Sequence, residues 1–138
     1  MATFTLSNFE NESASEFISD VMMNGYGLIG VAIDRVLDPE NRPGLIECEE
    51  AILAAEFIAK AVGNPAHDFP EDALDWCNIY LSKGSAENLE VVTYAEKAAD
   101  AIDIIVTDSE LRDLWEGQPQ FNEWFEAQVD LQKRILGE

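Results

Sequence analysis

The sequence predicts an all-α fold, a single-domain bundle of six or seven helices. Apolar residues recur at helical spacing in one segment after another, and no segment shows the apolar–polar alternation of a half-buried strand. The chain has 138 residues, of which 47% are hydrophobic, so one domain of this length can bury a core of its own. We therefore predict one helical domain over residues 1–138, with residues 1–10 as an irregular lead.

The first helix is predicted to begin near Ser13. Ser13 and Glu16 have the spacing of a capping box, in which the serine oxygen accepts from an exposed amide and the glutamate reaches back. Gly25 and Gly27 are predicted to end the helix. Between these limits lies a stripe of apolar residues, Phe17, Ile18, Val21 and Met22.

The segment before this helix has a less complete interpretation. Phe9 and Asn11 lie where a residue can staple or cap the helix start. Asn8 and Glu10 have no predicted role.

The second and third helices are predicted over residues 28–37 and 46–62. The segment between them, DPENRPG, contains two prolines and a glycine and is typical of a turn or loop. The third helix has an apolar face too broad for a surface helix, which predicts a place at the centre of the bundle. Gly63 suits its C-terminal cap. This face comprises Cys48, Ala51, Ile52, Ala54, Ala55, Ile58, Ala59 and Val62.

The fourth and fifth helices follow a loop that contains Pro70. Asp68 and Glu71 have the spacing of a second capping box, Pro70 suits a first turn, and Gly84 is predicted to close the fourth helix. The fifth helix is predicted over residues 86–106. Its inward face comprises Val91, Ala95, Ala98, Ile102 and Ile105.

Two further helices complete the predicted bundle. Thr107 and Glu110 have capping-box spacing and open a short helix, and Pro119 is predicted to start the last helix. Trp115 and Trp124 lie on apolar helix faces, where a core position is expected; because they flank the turn between the two helices, partial exposure at a protein interface is the alternative. The inward residues of the last helix are predicted to be Phe121, Trp124, Phe125, Val129, Leu131 and Ile135.

Four segments, taken in chain order, carry a resemblance to a known family. They are NFENESASEFISDV (8–21), the alanine-rich CEEAILAAEFIAKAVGNP (48–65), FPEDALDWC (69–77) and SELRDLWEG (109–117), followed by a last helix with Trp124. Together they resemble the DUF4259 domain. The resemblance implies a small bacterial helical domain.

The chain departs from that family at its beginning. Thr3, Phe4 and Thr5 stand where the family typically has a Gly-Trp-Gly-like lead, which leaves the conformation of the first eight residues open. The function of the family is itself unknown, so the resemblance implies no catalytic or ligand-binding residues.

Charge is the dominant global property of the chain. It carries 28 acidic and 8 basic residues, a net charge of −20 at pH 7, and its pI is about 4.1. Such a surface repels nucleic-acid phosphates and anionic lipid head groups, so neither nucleic acid nor membrane is a predicted partner. It favours basic protein partners or cations. The alternative is a solvated coat that serves solubility or adaptation to salt.

Two cysteines, Cys48 and Cys77, lie in predicted helices without CxxC spacing. No secretory signal is recognisable, and no run approaches the ~18 apolar residues that span a bilayer. We therefore expect a cytoplasmic protein with both thiols reduced and packed.

The sequence predicts no catalytic residue, cofactor or metal site. His67, the one histidine, is expected to be a loop residue bonded to Asp68, because a nucleophilic triad would need it beside a cysteine in an electropositive setting. One histidine and two separated cysteines serve zinc poorly, and a di-iron carboxylate bundle needs Glu-x-x-His pairs. An enzyme is therefore not the expected class.

Two rows of carboxylates are the predicted partner-binding residues. Like charges at such helical spacings destabilise a helix slightly. A solvated helix face is the ordinary interpretation of each row, and if the protein has a partner site, these rows are where we predict it. The rows are Glu96, Asp100 and Asp103 on the fifth helix, and Glu123, Glu126 and Asp130 on the last.

The leading hypothesis is a non-enzymatic protein that acts by protein–protein contact through this acidic surface. Its most concrete version is an immunity or antitoxin role, in which the carboxylates mimic phosphate and cover a basic site. One alternative is a small carboxylate-based hydrolase or ligand-binding domain, which requires two carboxylates of raised pKa in one pocket. The other alternative is that the charge has no specific use.

Overall fold

The computed structural model of the protein describes residues 7–137, and over that range the secondary structure is entirely helical. The predicted all-α bundle is therefore confirmed. The predicted fifth helix is interrupted, so that it forms α5 and α6; counted as one interrupted helix, these give seven helices in the described range. The segments are α1 (Glu12–Asn24), α2 (Gly27–Leu37), α3 (Leu45–Ala61), α4 (Glu71–Tyr80), α5 (Ala86–Val92), α6 (Ala95–Thr107), α7 (Glu110–Glu116) and α8 (Phe121–Leu136).

Helix α3 lies at the centre of the bundle, as its broad apolar face predicts. Every residue from 51 to 59 is buried, and the helix packs against α1, α2, α5, α6, α7 and α8. Its small alanine side chains let the neighbouring helices approach closely on all sides. All but one of these nine residues are apolar, and the exception, Glu56, is the origin of the site described below.

The start of α1 differs from the prediction. Asn11, not Ser13, is the N-cap: its Oδ1 accepts a hydrogen bond from the amide of Ala14 at 2.7 Å. The predicted Ser13–Glu16 capping box is wrong, because Ser13 lies inside α1 and its hydroxyl bonds to Glu49 of α3. Starting the helix two residues earlier places Ala14 in the core.

The predicted ends of α4 are also wrong. Asp68 does not cap the helix; its Oδ2 accepts from the hydroxyl of Ser7 at 2.7 Å, and Pro70 occupies the N-cap position. The helix ends at Tyr80 instead of reaching Gly84, since the last amide bonded into it is that of Leu81, to Cys77.

The interruption between α5 and α6 falls at Thr93 and Tyr94. The hydroxyl of Thr93 donates to the carbonyl of Glu90 at 2.6 Å, and the amide of Tyr94 bonds three residues back to Val91. This tight turn directs the Tyr94 ring toward Gly30 of α2, where a side chain would not fit.

At the start of α7 the predicted Thr107–Glu110 capping box is wrong. Ser109 is the N-cap, and its hydroxyl oxygen accepts from the amide of Arg112 at 3.0 Å. Thr107 instead ends α6, where its hydroxyl donates to the carbonyl of Asp103 at 2.6 Å. Helix α8 begins at Phe121, two residues after the predicted start.

The tryptophans that flank the α7–α8 turn are core residues, as their apolar helix faces predict, and the alternative of partial exposure is wrong. Trp115 is 4% and Trp124 3% exposed, and their rings are stacked with centroids 5.9 Å apart. Phe121 packs on Trp124 at 5.8 Å and covers the pair. The turn therefore closes over the rings instead of presenting them to solvent.

The cap at Asn11 generates a testable prediction. Replacing Asn11 with Ala leaves the Ala14 amide without its partner and is expected to lower the free energy of unfolding by about 1 kcal/mol. Chemical denaturation followed by circular dichroism measures the change. Ser15→Ala, an exposed substitution inside α1, is the control and should cost nothing. Equal stabilities of the two variants would contradict the assignment of the cap.

Candidate functional site

The structure places all six predicted partner-binding carboxylates at the surface. We refer to Glu96, Asp100 and Asp103 as the α6 ridge, and to Glu123, Glu126 and Asp130 as the α8 ridge. Helices α6 and α8 pack directly against each other, which makes the two ridges neighbours in the fold.

The two ridges nevertheless lie on different flanks of α8. Gln132 of α8 faces α6, because its Nε2 donates at 2.8 Å both to the carbonyl of Ala99 and to Oδ1 of Asp103. Asp130 precedes Gln132 by two residues, which places the two side chains roughly 200° apart around the helix. The α6 ridge thus borders the α6–α8 seam, and the α8 ridge faces away from that seam.

Most of the ridge carboxylates carry uncompensated charge. Within residues 7–137, Glu96, Asp100, Glu123 and Glu126 form neither an ion pair nor a side-chain hydrogen bond, and Asp130 is the one ridge residue in an ion pair. Five of the eight basic residues form ion pairs in the described range, whereas Lys60, Lys83 and Lys133 form none there. The pairs are Arg35–Glu50, Arg42–Asp108, Arg42–Asp113, Lys97–Asp34, Arg112–Glu116, Arg134–Glu56 and Arg134–Asp130.

Beneath the α8 ridge lies a buried polar cluster that the sequence analysis did not predict. It consists of Asn8, Glu56, Gln128 and Arg134. Arg134 Nη1 lies 3.1 Å from Glu56 Oε1, and Asn8 Nδ2 donates to Glu56 Oε2 at 2.9 Å. Gln128 Nε2 donates to Asn8 Oδ1 at 3.0 Å. Glu56 is 2% exposed and Gln128 fully buried, so the cluster belongs to the core.

Arg134 connects this cluster to the surface. Its Nε donates to Oδ2 of Asp130 at 3.0 Å, and its Nη1 also bonds to the carbonyl of Asn64 at 3.3 Å. The side chain of Asn64 donates in return to the carbonyl of Arg134 at 3.0 Å. One guanidinium thus holds together α8, the centre of α3 and the loop that follows α3.

The protonation of Glu56 depends on a balance of opposed effects. Burial raises the pKa of Glu56 above its ordinary value, while the hydrogen bond and charge of Arg134 and the amide of Asn8 act to lower it. Burial is the largest of these effects, so the pKa remains raised. Both carboxylate oxygens accept hydrogen bonds from protein groups, so the cluster acts as a structural clamp.

Two other carboxyls of raised pKa, Glu49 and Glu50, bear on the hydrolase alternative. Burial raises the pKa of each. They are adjacent on α3, but Glu49 bonds to Ser13 of α1 and Glu50 pairs with Arg35 of α2 at 3.6 Å. Each carboxyl is therefore held by a side chain of a neighbouring helix, and Glu50 also lies near the acids Asp20 and Glu16 of α1.

The remaining chemically active side chains are dispersed. Cys48 and Cys77 are free thiols, both buried, and burial raises the pKa of Cys48 to about 11 and that of Cys77 to about 12. His67 is exposed in the α3–α4 loop, and its expected partner Asp68 bonds to Ser7 instead. Among the described residues, no three metal-ligating side chains are grouped to hold a metal ion.

A signal for the buried cluster is present in the sequence, although it is faint. Glu56 stands between Ala55 and Phe57 in an otherwise apolar run that cannot turn any residue to solvent once the helix is central. Gln128 occupies a core position on α8, where Val129 was predicted to point inward and is half-buried. A polar residue at a core position of a helix indicates a buried partner.

The fold and the site together define an acidic helical domain that is clamped by a buried carboxylate–guanidinium pair. The chain belongs to the DUF4259 family, described as a domain of unknown function, whose family model matches residues 3–127. Neither a curated protein nor a solved structure matches the chain. Asn8 and Glu56 lie within the matched residues, whereas Gln128 and Arg134 follow them.

No helix in residues 7–137 combines the length and apolarity needed to cross a membrane.

The clamp predicts a large effect at Arg134. In Arg134→Met the buried Glu56 loses its counter-charge, and the free energy of unfolding at about pH 7.5 is expected to fall by about 3 kcal/mol. Lys133→Met, which removes one positive charge from an exposed neighbour, is the matched control and should change it by less than about 0.5 kcal/mol. The deficit of Arg134→Met should shrink as the pH is lowered, because loss of the guanidinium removes the main influence that lowers the pKa of Glu56, and protonation neutralises the buried carboxyl. Equal losses in the two variants would show that Arg134 acts only through net charge.

The raised pKa values of Glu49, Glu50 and Glu56 predict how stability depends on pH. A raised pKa means that the folded chain still binds protons that the unfolded chain has released, so stability falls as pH rises above the ordinary carboxyl value. Denaturation between about pH 5 and about pH 7.5 should therefore show decreasing stability. Glu56→Gln should flatten this slope more than Glu123→Gln, which removes the same charge from the surface. A wild-type slope in Glu56→Gln would contradict the assignment.

Proposed function

We propose that the protein is a non-enzymatic binding protein whose acidic ridges on α6 and α8 contact a basic protein. The observation that carries the proposal is the absence, within residues 7–137, of any cation paired with Glu96, Asp100, Glu123 or Glu126. Four exposed carboxylates without local counter-charge offer a partner's lysines and arginines a site that internal pairs do not already occupy.

The geometry of the ridges suits a cationic groove. Carboxylates one helical turn apart form a row of negative groups spaced by about 5.4 Å along a rigid axis. Each row is anchored at one end: Gln132 holds Asp103, and Arg134 holds Asp130. Anchored charges lose less conformational entropy on binding than free ones, which favours recognition through these rows.

An immunity or antitoxin role is the most specific form of this proposal. In such a role the rows of carboxylates take the place of nucleic-acid or nucleotide phosphates at the basic site of a partner. The net charge of −20 would accelerate the encounter by long-range attraction. We place the protein in the cytoplasm, and its two unbridged, buried cysteines support a reducing compartment.

The test begins with capture of a partner from the lysate of the source organism, with elution by increasing salt. The captured protein is then purified, and association rates are measured against the wild type and paired variants. Glu96→Gln with Asp100→Asn, or Glu123→Gln with Glu126→Gln, should lower the association rate by about three- to ten-fold and weaken its salt dependence.

The matched control is Glu16→Gln with Asp20→Asn on α1. These two exposed acids carry the same charge, and α1 packs against α2, α3 and α4 instead of α6 or α8. Because the two ridges lie on different flanks of α8, the paired variants also identify which ridge is in contact. If the control and both ridge variants lose affinity equally, only net charge matters and the ridges are not the site. If no protein is retained at low salt, the acidic surface is a solvated coat.

A further inference from the structure

A cleft lies between the start of α2 and the junction of α5 and α6. Its volume is about 60 Å³, and its walls include Tyr26, Ile29, Gly30, Glu90, Val91 and Tyr94. Two tyrosines and one carboxylate thus surround a space that would hold a small head group.

The glycine at position 30 is what makes room for the Tyr94 ring. A Cβ on Gly30 would lie 2.5 Å from Cζ and 2.7 Å from the hydroxyl oxygen of Tyr94, closer than any two such atoms can approach. The ring occupies the place of a side chain, and the break between α5 and α6 directs it there. The ring of Tyr94 therefore forms one wall of the cleft.

The carboxylate of Glu90 is held in position at the rim but is not neutralised. Tyr26 donates its hydroxyl proton to Glu90 Oε2 at 2.6 Å, and within residues 7–137 no lysine or arginine pairs with Glu90. The hydrogen bond to Glu90, followed by burial, raises the pKa of Tyr26, so the phenol stays protonated and keeps donating. The negative charges of Glu90 and Glu87 both act on this phenol.

We propose that this cleft is a binding site for the head of an organic cation, a primary ammonium or a guanidinium. Oε1 of Glu90 accepts from the cation while Oε2 remains bonded to Tyr26, and the rings of Tyr26 and Tyr94 contact the charged group. A bare metal ion is disfavoured, because calcium takes six to eight oxygen ligands and the cleft offers one carboxylate. This site does not depend on the ridges or on the function proposed for them.

Lys97 provides a precedent for cation contact at the same ring. Its Nζ lies 5.2 Å from the ring centroid of Tyr94, and its charge is offset by Asp34 at 3.9 Å. Lys97 is itself exposed and is the nearest competing positive charge on that ring. Replacing it with Gln should therefore strengthen binding of an added cation.

The test titrates the full chain with methylguanidinium and n-butylammonium at low ionic strength, with n-butanol as the uncharged analogue. Amide NMR spectra should show saturable shifts grouped at Gly27, Gly30 and Val91 with the two cations and none with butanol. Glu90→Gln keeps the shape of the carboxylate and should weaken binding by about ten-fold. Tyr94→Leu should weaken it by about two- to five-fold.

Glu123→Gln is the control, because it removes the same charge from a ridge distant in sequence from the cleft. Binding that is unchanged in Glu90→Gln, equal weakening in Glu123→Gln, or shifts spread over the whole acidic surface would overturn the site. If Tyr94→Leu does not fold, the comparison of Glu90→Gln with Glu123→Gln remains decisive.

Two sources of the cation are distinguished with capped amino acids. Nα-acetyl-lysine methylamide and Nα-acetyl-arginine methylamide carry the same cationic head groups on a capped peptide backbone. If they bind as tightly as the free cations, the occupant is a side chain of a protein partner. If only the free cations bind, the occupant is a small amine or guanidine.

Discussion

The buried carboxylate of Glu56 is the constraint on which the packing of the bundle depends. A carboxylate at the centre of an alanine-rich helix is costly to bury unless its oxygens meet donors and a counter-charge. Arg134 supplies the charge from α8, and Asn8 supplies a donor from the segment before α1. The alignment of α8 on α3 and the position of residues 7–11 therefore follow from one side chain. Removal of either partner leaves a buried charge or donor unpaired, which is destabilising. The pair therefore specifies how α8 packs on α3 even where it adds little net stability.

This clamp also determines what the surface presents. Arg134 bonds to Glu56 below it and to Asp130 beside it, so the alignment that satisfies the core also sets the α8 ridge. On the other flank, Gln132 joins α8 to Ala99 and Asp103 of α6. Gln132 and Arg134 thus point to opposite sides of α8, and the two acidic ridges lie on these two sides. A change in the register of α8 by a single residue would rotate both contacts by roughly 100° and disconnect them.

The sequence predicts the helices better than it predicts where they begin and end. Periodicity specifies α3 and its central place, since the apolar face of an alanine-rich helix depends on neighbours in sequence alone. The positions of the caps depend on tertiary contacts. Asn11 and Ser13 are both good N-cap residues, and α1 starts after Asn11 because the hydroxyl of Ser13 is hydrogen-bonded to Glu49 of α3. The exposure of the ridges follows from helical spacing, but their separation does not. The buried cluster is beyond local reasoning, because its bonds join residues 48, 78 and 120 positions apart.

The net charge of −20 describes the whole chain, whereas a candidate surface is defined by the surroundings of its individual carboxylates. Asp34, Glu50, Asp108 and Asp113 are matched by cations of the fold and add little field beyond their surroundings. Glu96, Asp100, Glu123, Glu126 and Glu90 form no ion pair in the described range, and the same holds for other exposed acids such as Glu16 and Asp20, so these candidate sites differ in what surrounds each carboxylate. Open helix ridges attract any cation at a distance and select weakly by shape. At Glu90 the rings of Tyr26 and Tyr94 restrict which cations can reach the carboxylate. This site therefore favours a planar or compact organic cation over other cations.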